Sequence, residues 1–414
     1  MSFPTKITVG STFGIYPPRG GGQLRLLHIC RHLAARCPVD VIALVAGDEP
    51  ALQRELAPGL REVRVPKSAQ HVAAEAELER EAGVPVTDVA FPELHELTPA
   101  FAQAVSASAA PDGALLASHP YTLPVLAAAQ AEPRIWYDVQ DVEADLKATM
   151  LAGTGVGARL LAATCEVERT CCEQAELVLA VSAEDASRLQ TLYGVPESKL
   201  ALVPNGVDTG AVRFTEPAQR RELSARLLMD SPLALFIGSW HGPNLAAVRR
   251  IIELAPRLAE IEFAVVGSVC LPFDDLELPP NVKLMGVVDD ELKETLLDVA
   301  AVALNPMSEG SGTNLKMLEY LAAGVPVVST EFGARGLQLD PQRHVRIAAP
   351  REFGSAIMAM LDEPLEQAQA RALQAHHHVE ERFDWAVVAR HLLHAVEALR
   401  DTAQPASETS ASTA

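Results

Sequence analysis

Residues 301–330 read AVALNPMSEGSGTNLKMLEYLAAGVPVVST. The first six are short, apolar and β-favouring. Ser308, Glu309, Gly310, Ser311, Gly312, Thr313 and Asn314 follow as a polar, flexible loop. Apolar side chains then recur at helical spacing until Gly324 interrupts them, and 325–329 is again a buried strand pattern. Strand, glycine loop, helix, strand is the repeating unit of a parallel α/β sheet. Unpaired N–H groups at the helix start, together with the helix dipole, make an anion site. Gly310 and Gly312 allow backbone to approach a phosphate closely, Lys316 adds a cation, and Glu319 can accept hydrogen bonds from a vicinal diol such as a ribose. The competing reading is a Ser/Thr helix cap with Glu319 on a solvated face.

The same rhythm extends in both directions. Strands are expected at 233–238, 262–267 and 282–286, with helices at 244–258 and 289–299. Further towards the N-terminus, 6–10 is a strand, 11–22 a turn-rich loop, 23–36 a helix and 39–45 a strand; apolar runs recur at 114–117, 134–137 and 177–181. The pattern predicts two doubly wound α/β domains in tandem, punctuated by Pro204-Asn205-Gly206. Boundaries are set at 1–205 and 206–384, with an amphipathic helix over 385–400 and a disordered Ser/Thr/Ala-rich tail over 401–414. Residues 68–99, acidic and poorly periodic, read as an insertion between sheet elements. Two such domains facing each other create a cleft, and ligands of open parallel sheets sit beyond the carboxyl ends of the strands.

Composition bounds the function. The chain has 414 residues, 49% of them hydrophobic, which is ample for large cores, and no apolar run reaches the ~18 residues of a membrane span. Acids outnumber bases 54 to 34 for a net charge of −20, which argues against a nucleic-acid partner. The opening to Pro38 departs from this: it carries Lys6, Arg19, Arg25, Arg31 and Arg36 and no acid. Such a segment permits contact with an anionic small molecule or membrane face, or simply lies on a solvated helix. Six cysteines without C-x-x-C spacing, and no basic-then-apolar leader pattern, suit a reduced cytoplasmic protein. His376–His378 are read as surface histidines, because three consecutive helical residues point in different directions. The pairs Asp274-Asp275 and Asp289-Asp290 are read as turns and helix starts.

A second glycine loop, Pro17-Pro18-Arg19-Gly20-Gly21-Gly22, follows the first strand and opens a helix. It lacks both the G-x-G-x-x-G dinucleotide fingerprint and the G-K-[ST] ending of a nucleoside-triphosphate loop. It suits close approach to a diphosphate or sugar.

The ordered set PPRGGG, VPNGVD (203–208), FIGS (236–239) with PN (243–244), and GSGTNLKMLEYLAAGVPVVST (310–330) resembles the retaining family 4 glycosyltransferases of the glycosyltransferase-B fold. The resemblance spans residues 6–400 and implies two Rossmann-like domains. The N-terminal one would lie on the acceptor side and the C-terminal one would bind a UDP- or GDP-linked sugar. Residues 385–400 would cross back onto the N-terminal domain. Glu319 matches the second Glu of the family's E-x7-E motif, which holds the ribose. Gly310, Ser311, Gly312, Thr313 and Asn314 would face the phosphates, with Ser239 beside them, and Gly20, Gly21 and Gly22 would close over the diphosphate. His119 stands where the family has a histidine near the donor sugar, and residues 138–143, including Asp141 and Glu143, resemble its acceptor-side loop.

This sequence also departs from the family. Ser311 occupies the position of the first Glu, with Glu309 two residues earlier. The usual Arg/Lys pair for the phosphates is incomplete; Lys316 is the expected replacement, ahead of Arg19 and Arg25. With no D-x-D motif, a cofactor-free, metal-independent transfer is expected, relevant to polysaccharide biosynthesis. The acceptor would be a glycan, a lipid-linked sugar or a small molecule, reached in the cytoplasm or at the inner membrane face. Retention would proceed by front-face attack or through a carboxylate such as Asp141 or Glu143. Catalytic candidates are therefore His119, Asp141, Glu309 and Lys316. A nucleotide-sugar epimerase and a non-catalytic nucleotide-binding scaffold partnering another transferase are the alternatives.

Overall fold

The computed structural model describes residues 3–151, 153–310 and 312–402. Two compact units emerge, one made of the chain up to Val203 together with residues from Ala389 on, the other of Pro204–Val388.

The first unit is built on β1 (Ile7–Ser11), β2 (Val39–Val45), β3 (Leu52–Ala57), β4 (Leu60–Pro66), β5 (Ala114–Ser118), β6 (Ile135–Val139), β7 (Leu177–Ala180) and β8 (Leu200–Leu202). Their order in the sheet is β3-β4-β2-β1-β5-β6-β7-β8. Every residue of β1, β2, β5, β6 and β7 is buried, as expected of strands covered by helices on both faces. All neighbours pair in parallel except β3 and β4, a hairpin that forms one edge. Periodicity did not announce this hairpin, because the charges of edge strand β3 interrupt its apolar positions. Residues 68–99, the expected insertion between sheet elements, are helical. They form the helices Ala69–Ala82 and Thr87–Leu94, which lie between β4 and β5. The first buries only His71, so it has no apolar stripe to read, whereas the second places Phe91 edge-on against Phe101, 5.3 Å between ring centres.

The second unit has six parallel strands: β9 (Leu233–Ile237), β10 (Glu262–Val266), β11 (Val282–Gly286), β12 (Val302–Asn305), β13 (Val327–Ser329) and β14 (Arg346–Ile347). They are ordered β11-β10-β9-β12-β13-β14. One face packs on Met317, Tyr320 and Leu321; on the other, Phe263 of β10 meets Ile251 and Ile357. The helix Leu365–Phe383 buries His378 against the Leu337 carbonyl (2.9 Å), while His376 meets the Ala322 carbonyl (2.8 Å). Of the three histidines expected at the surface, only His377 is exposed. The final helix is Trp385–Thr402, so residues 401 and 402 extend it rather than begin a tail; the rest of that tail, 403–414, lies outside the described residues.

Each sheet grows outward from its first strand in one direction and then reverses. The reversal falls between β1 and β5 in the first unit and between β9 and β12 in the second. The loops beyond the carboxyl ends of those strands therefore form the natural ligand crevice of each unit.

Candidate functional site

In the second unit the crevice is formed by the loop after β9 and the loop after β12. Gly267 lets the first of these pack down. Its φ is +106°, and a Cβ there would sit 2.1 Å from the Gly238 carbonyl oxygen, so no other residue fits. Asn244, near the start of helix Gly242–Leu254, donates from Nδ2 to the Ser239 carbonyl (3.0 Å). Its Oδ1 accepts a 2.6 Å hydrogen bond from Lys316 Nζ. The Lys316 ammonium also lies 4.5 Å from the centre of the Phe236 ring and 4.0 Å from the Met307 sulfur.

Lys316 has no carboxylate partner among the described residues. Its neighbours are an amide oxygen, a thioether and an aromatic face, none of which supplies a full negative charge. Burial consequently pushes its pKa down to about 7. The helix that carries it, Leu315–Ala322, begins at Asn314 with no side-chain cap and no acid in its first turn. Tyr320 ties this helix to the sheet by accepting the Ile237 N–H (2.7 Å). A buried cation beside an uncapped helix start is chemically incomplete without an anion.

The glycine loop has the predicted backbone freedom, with φ of +119° at Gly310 and +62° at Gly312. Ser311 lies outside the described residues. Thr313 accepts from Asn205 Nδ2 (2.9 Å), which gives the Pro204-Asn205-Gly206 punctuation a role in bracing the loop. Asn314 donates to the Gly333 carbonyl (2.9 Å). Glu309 is exposed. Glu319 is ion-paired with Lys293 of helix Asp290–Val299. A second cation flanks the loop: Arg335 stacks over the Phe332 ring at 4.0 Å, and one of its nitrogens lies 3.8 Å from where a Gly310 Cβ would be.

In the first unit Gly20 caps helix Gly21–Ala34, and the Gln23 side chain accepts from the N–H groups of Arg19 (2.7 Å) and Gly20 (3.1 Å). Gly21 opens the helix, and Gly22 packs so closely on Gln140 that an added Cβ would stand 2.4 Å from Gln140 Oε1. Arg19 is exposed, but Arg25 is not available for a phosphate. It is 1% exposed, binds Asp138 Oδ1 through two nitrogens (3.0 and 2.7 Å) and donates to the Val203 carbonyl (2.8 Å). Sequence could not foresee this, because the partner lies 113 positions away.

His119, at the end of β5 with φ of +62°, places Nδ1 2.6 Å from Glu143 Oε1. Tyr121 donates to the other Glu143 oxygen (2.6 Å), and Lys147 Nζ stands 3.6 Å from it. Burial opposes the imidazolium, but the charge and hydrogen bond of Glu143 outweigh it and raise His119 to about 9. For Glu143, burial favours the neutral acid, yet Lys147 and His119 prevail and hold its pKa at about 2. Asp141, partly exposed on the same loop, adds to the field that keeps His119 and Lys147 charged. Behind them Glu168 accepts the N–H groups of Glu143 (2.8 Å) and Ala144 (3.0 Å); burial first, then repulsion from Glu143, raises it to about 7.

Sequence reading missed Asn244, Lys293, Arg335, Tyr121 and Lys147 as site residues. Asn244 lay in the quoted Pro243-Asn244 pair and was legible in principle. The others carry no motif and are gathered by topology alone. Among the described residues, no group of three or more His, Cys, Asp or Glu side chains is arranged to hold a metal ion, and no helix is long and apolar enough to cross a membrane.

Comparison with known proteins agrees with this layout. The profile described as "Glycosyl transferase 4-like domain" matches residues 20–206, and "Glycosyl transferases group 1" matches 231–363. Among curated proteins, the MMP alpha-(1->4)-mannosyltransferase of Mycolicibacterium hassiacum is 28% identical over 49% of this chain and 49% of its own length. The phosphatidyl-myo-inositol mannosyltransferase of Mycolicibacterium smegmatis is 26% identical over 47% of this chain and 51% of its own. The chain thus spans about half the length of the curated relatives it matches. Among solved structures, sucrose-phosphate synthase from Thermosynechococcus elongatus superposes with a TM-score of 0.72 at 16% identity, covering 96% of this chain and 100% of that one. HepE of Anabaena, solved with UDP and glucose, gives 0.66 at 15% identity over 94% and 99%. At such identities the solved structures establish the shared glycosyltransferase-B fold.

Proposed function

Because the chain belongs to the group 1 glycosyl transferases, we propose that it moves a sugar from a nucleoside diphosphate sugar to a hydroxyl acceptor with retention of anomeric configuration. The observation that carries the reading is Lys316, a largely buried cation without a carboxylate, at an uncapped helix start beside a glycine loop. The second unit would hold the nucleotide. Lys316, Arg335 and the N–H groups of residues 312–316 would take up the charge of the departing diphosphate, so that this chemistry needs no metal. Glu319 would bind the ribose, with Lys293 orienting its carboxylate. UDP is the first nucleotide to test, since HepE was solved with it; GDP is the second.

The first unit would serve the sugar and the acceptor. The His119 imidazolium, fixed by Glu143, offers a charged donor to hydroxyl groups, and Asp141 offers an acceptor. Breaking the anomeric bond passes through an oxocarbenium-like state. The departing phosphate, once neutralised on one side, can receive the acceptor proton on the same face. Cytoplasmic action and contact with a membrane face, for a glycan, lipid-linked or small-molecule acceptor, belong to the same proposal.

The test is to incubate the protein with UDP- and GDP-sugars, with and without acceptor mixtures, and to follow the anomeric centre by NMR. Release of nucleoside diphosphate with an α-configured product supports the proposal. Interconversion of the nucleotide sugar without acceptor would identify an epimerase. Binding without turnover under every condition would favour a scaffold.

A further inference from the structure

A second set of cationic side chains lies in the second unit, away from the glycine loop. A cavity of about 270 Å³ opens between helix Gly242–Leu254 and the chain that leads into helix Phe353–Leu361. Its apolar lining includes Leu254, Pro306 and Phe353, and its charged wall carries Arg250 and Arg257. Arg250 is six residues beyond Asn244, about 9 Å further along the helix at 1.5 Å per residue, so the arginine wall stands apart from Lys316, while Pro306 and Thr330 border the Met307 segment that touches it.

The charge in this wall is unbalanced. Nη1 of Arg250 is buried and makes no hydrogen bond. Among the described residues neither Arg250 nor Arg257 has an acidic group within 4 Å, although Glu253 lines the same wall and the protein as a whole is strongly acidic. Two guanidiniums lining one cavity also repel each other, and a single dianion held by their accessible nitrogens would relieve that repulsion. Guanidinium forks match phosphate oxygens in geometry, and a phosphate monoester carries about −1.5 to −2 at neutral pH. The volume suits a small ligand, because ligand pockets begin near 300 Å³. The apolar lining asks for an organic group on the ester rather than a bare ion.

We infer that this cavity is a binding site for a small phosphate monoester, distinct from the donor site. Its floor gives it a route to the glycine loop. Thr330, in the cavity lining, donates to the Met307 carbonyl and accepts the Gly333 N–H (2.9 Å). Met307 in turn touches Lys316, and Gly333 receives Asn314. An occupant would therefore press on the residues that set the donor loop.

Phenyl phosphate and inorganic phosphate serve as probes, titrated calorimetrically into the full chain, the Lys316→Ala variant and the Arg250→Gln variant. The expected result is that phenyl phosphate binds several-fold more tightly than phosphate and binds Lys316→Ala as it binds the wild type. Arg250→Gln should lose about ten-fold or more in affinity, the worth of a charged hydrogen bond. Should Arg250→Gln fail to fold, Arg257→Gln, an exposed position, takes its place with the same expected loss. Binding that disappears in Lys316→Ala and survives both arginine changes would assign the ligand to the donor site and overturn the inference. Absence of binding to the wild type would overturn it as well, while leaving the glycosyl-transfer reading untouched.

Discussion

The two crevices handle charge in opposite ways. In the first unit every buried charge near the ends of β1, β5 and β6 already has a partner: Arg25 with Asp138, and His119 and Lys147 with Glu143. In the second, Lys316 is held by an amide oxygen, a sulfur and a ring, with no counter-charge. A crevice whose charges are balanced internally can present fixed dipoles and one oriented imidazolium to neutral hydroxyls without attracting ions. One with an unbalanced cation is incomplete until an anion arrives. In the proposed function this contrast assigns the sugar and acceptor to the first unit and the diphosphate to the second.

The comparison can be broken at its strongest pair first. Asp138→Asn leaves the Arg25 guanidinium buried beside a neutral group, and breaking such a pair costs about 3–5 kcal/mol. Chemical denaturation should show that loss in the transition of the first unit and little change in the second. An equal loss in both would mean that the pair does not belong to one unit's balance.

The next effect is read in pH. His119 titrates at about 9 in the fold against 6.5 unfolded. Its stabilising contribution is therefore complete below pH 6.5 and is lost as pH rises through about 9. Glu143, lowered to about 2 from 4.5, contributes above pH 4.5 and loses its contribution as pH falls through about 2. Glu168, raised to about 7, stabilises the fold below pH 4.5 and gives that contribution up as pH climbs to 7. For the first unit the sum predicts a stability maximum near pH 4.5 and a decline from there towards pH 9, Glu168 carrying the part up to about pH 7 and His119 the part from 6.5 to 9, with a His119 share of up to about 3 kcal/mol. Glu143→Gln should flatten the part of the decline between pH 6.5 and 9. A melting profile that keeps its slope in that variant would show that another group controls it.

A smaller effect sharpens the comparison at the glycine loops. Gly22→Ala drives a methyl into Gln140 Oε1 and should cost about 1–3 kcal/mol, as overpacking does. The double change with Gln140→Ala should recover most of it. No recovery would mean that Gly22 is needed for ligand approach or backbone freedom rather than for packing.

The alternation of strands and helices was legible because buried parallel strands are unbroken apolar runs, as at residues 39–45 and 114–117. Pairing was not. The hairpin of β3 and β4 and the two-residue β14 carry too little apolar contrast to read. The glycine loops, Lys316 and His119 were visible as residue types at the ends of strands. Their partners were mostly invisible: Asp138 for Arg25, Lys293 for Glu319 and Arg335 beside Gly310 are joined only when distant strands are placed side by side. Sequence therefore kept Arg25 as a secondary phosphate candidate behind Lys316, since a buried and an exposed arginine look alike in one sequence.

The central claim is that Lys316 waits for the donor diphosphate. Its pKa of about 7 makes that claim measurable, because an arriving anion favours the charged form and draws a proton from solution. The decisive measurement is calorimetric titration with UDP and GDP at pH 7 in buffers of different ionisation enthalpy, for the wild type and Lys316→Ala. The account predicts binding of at least one diphosphate with net proton uptake, and a loss of about 10–100-fold in affinity together with that uptake in the variant. Equal affinity and equal proton uptake in both proteins would contradict it.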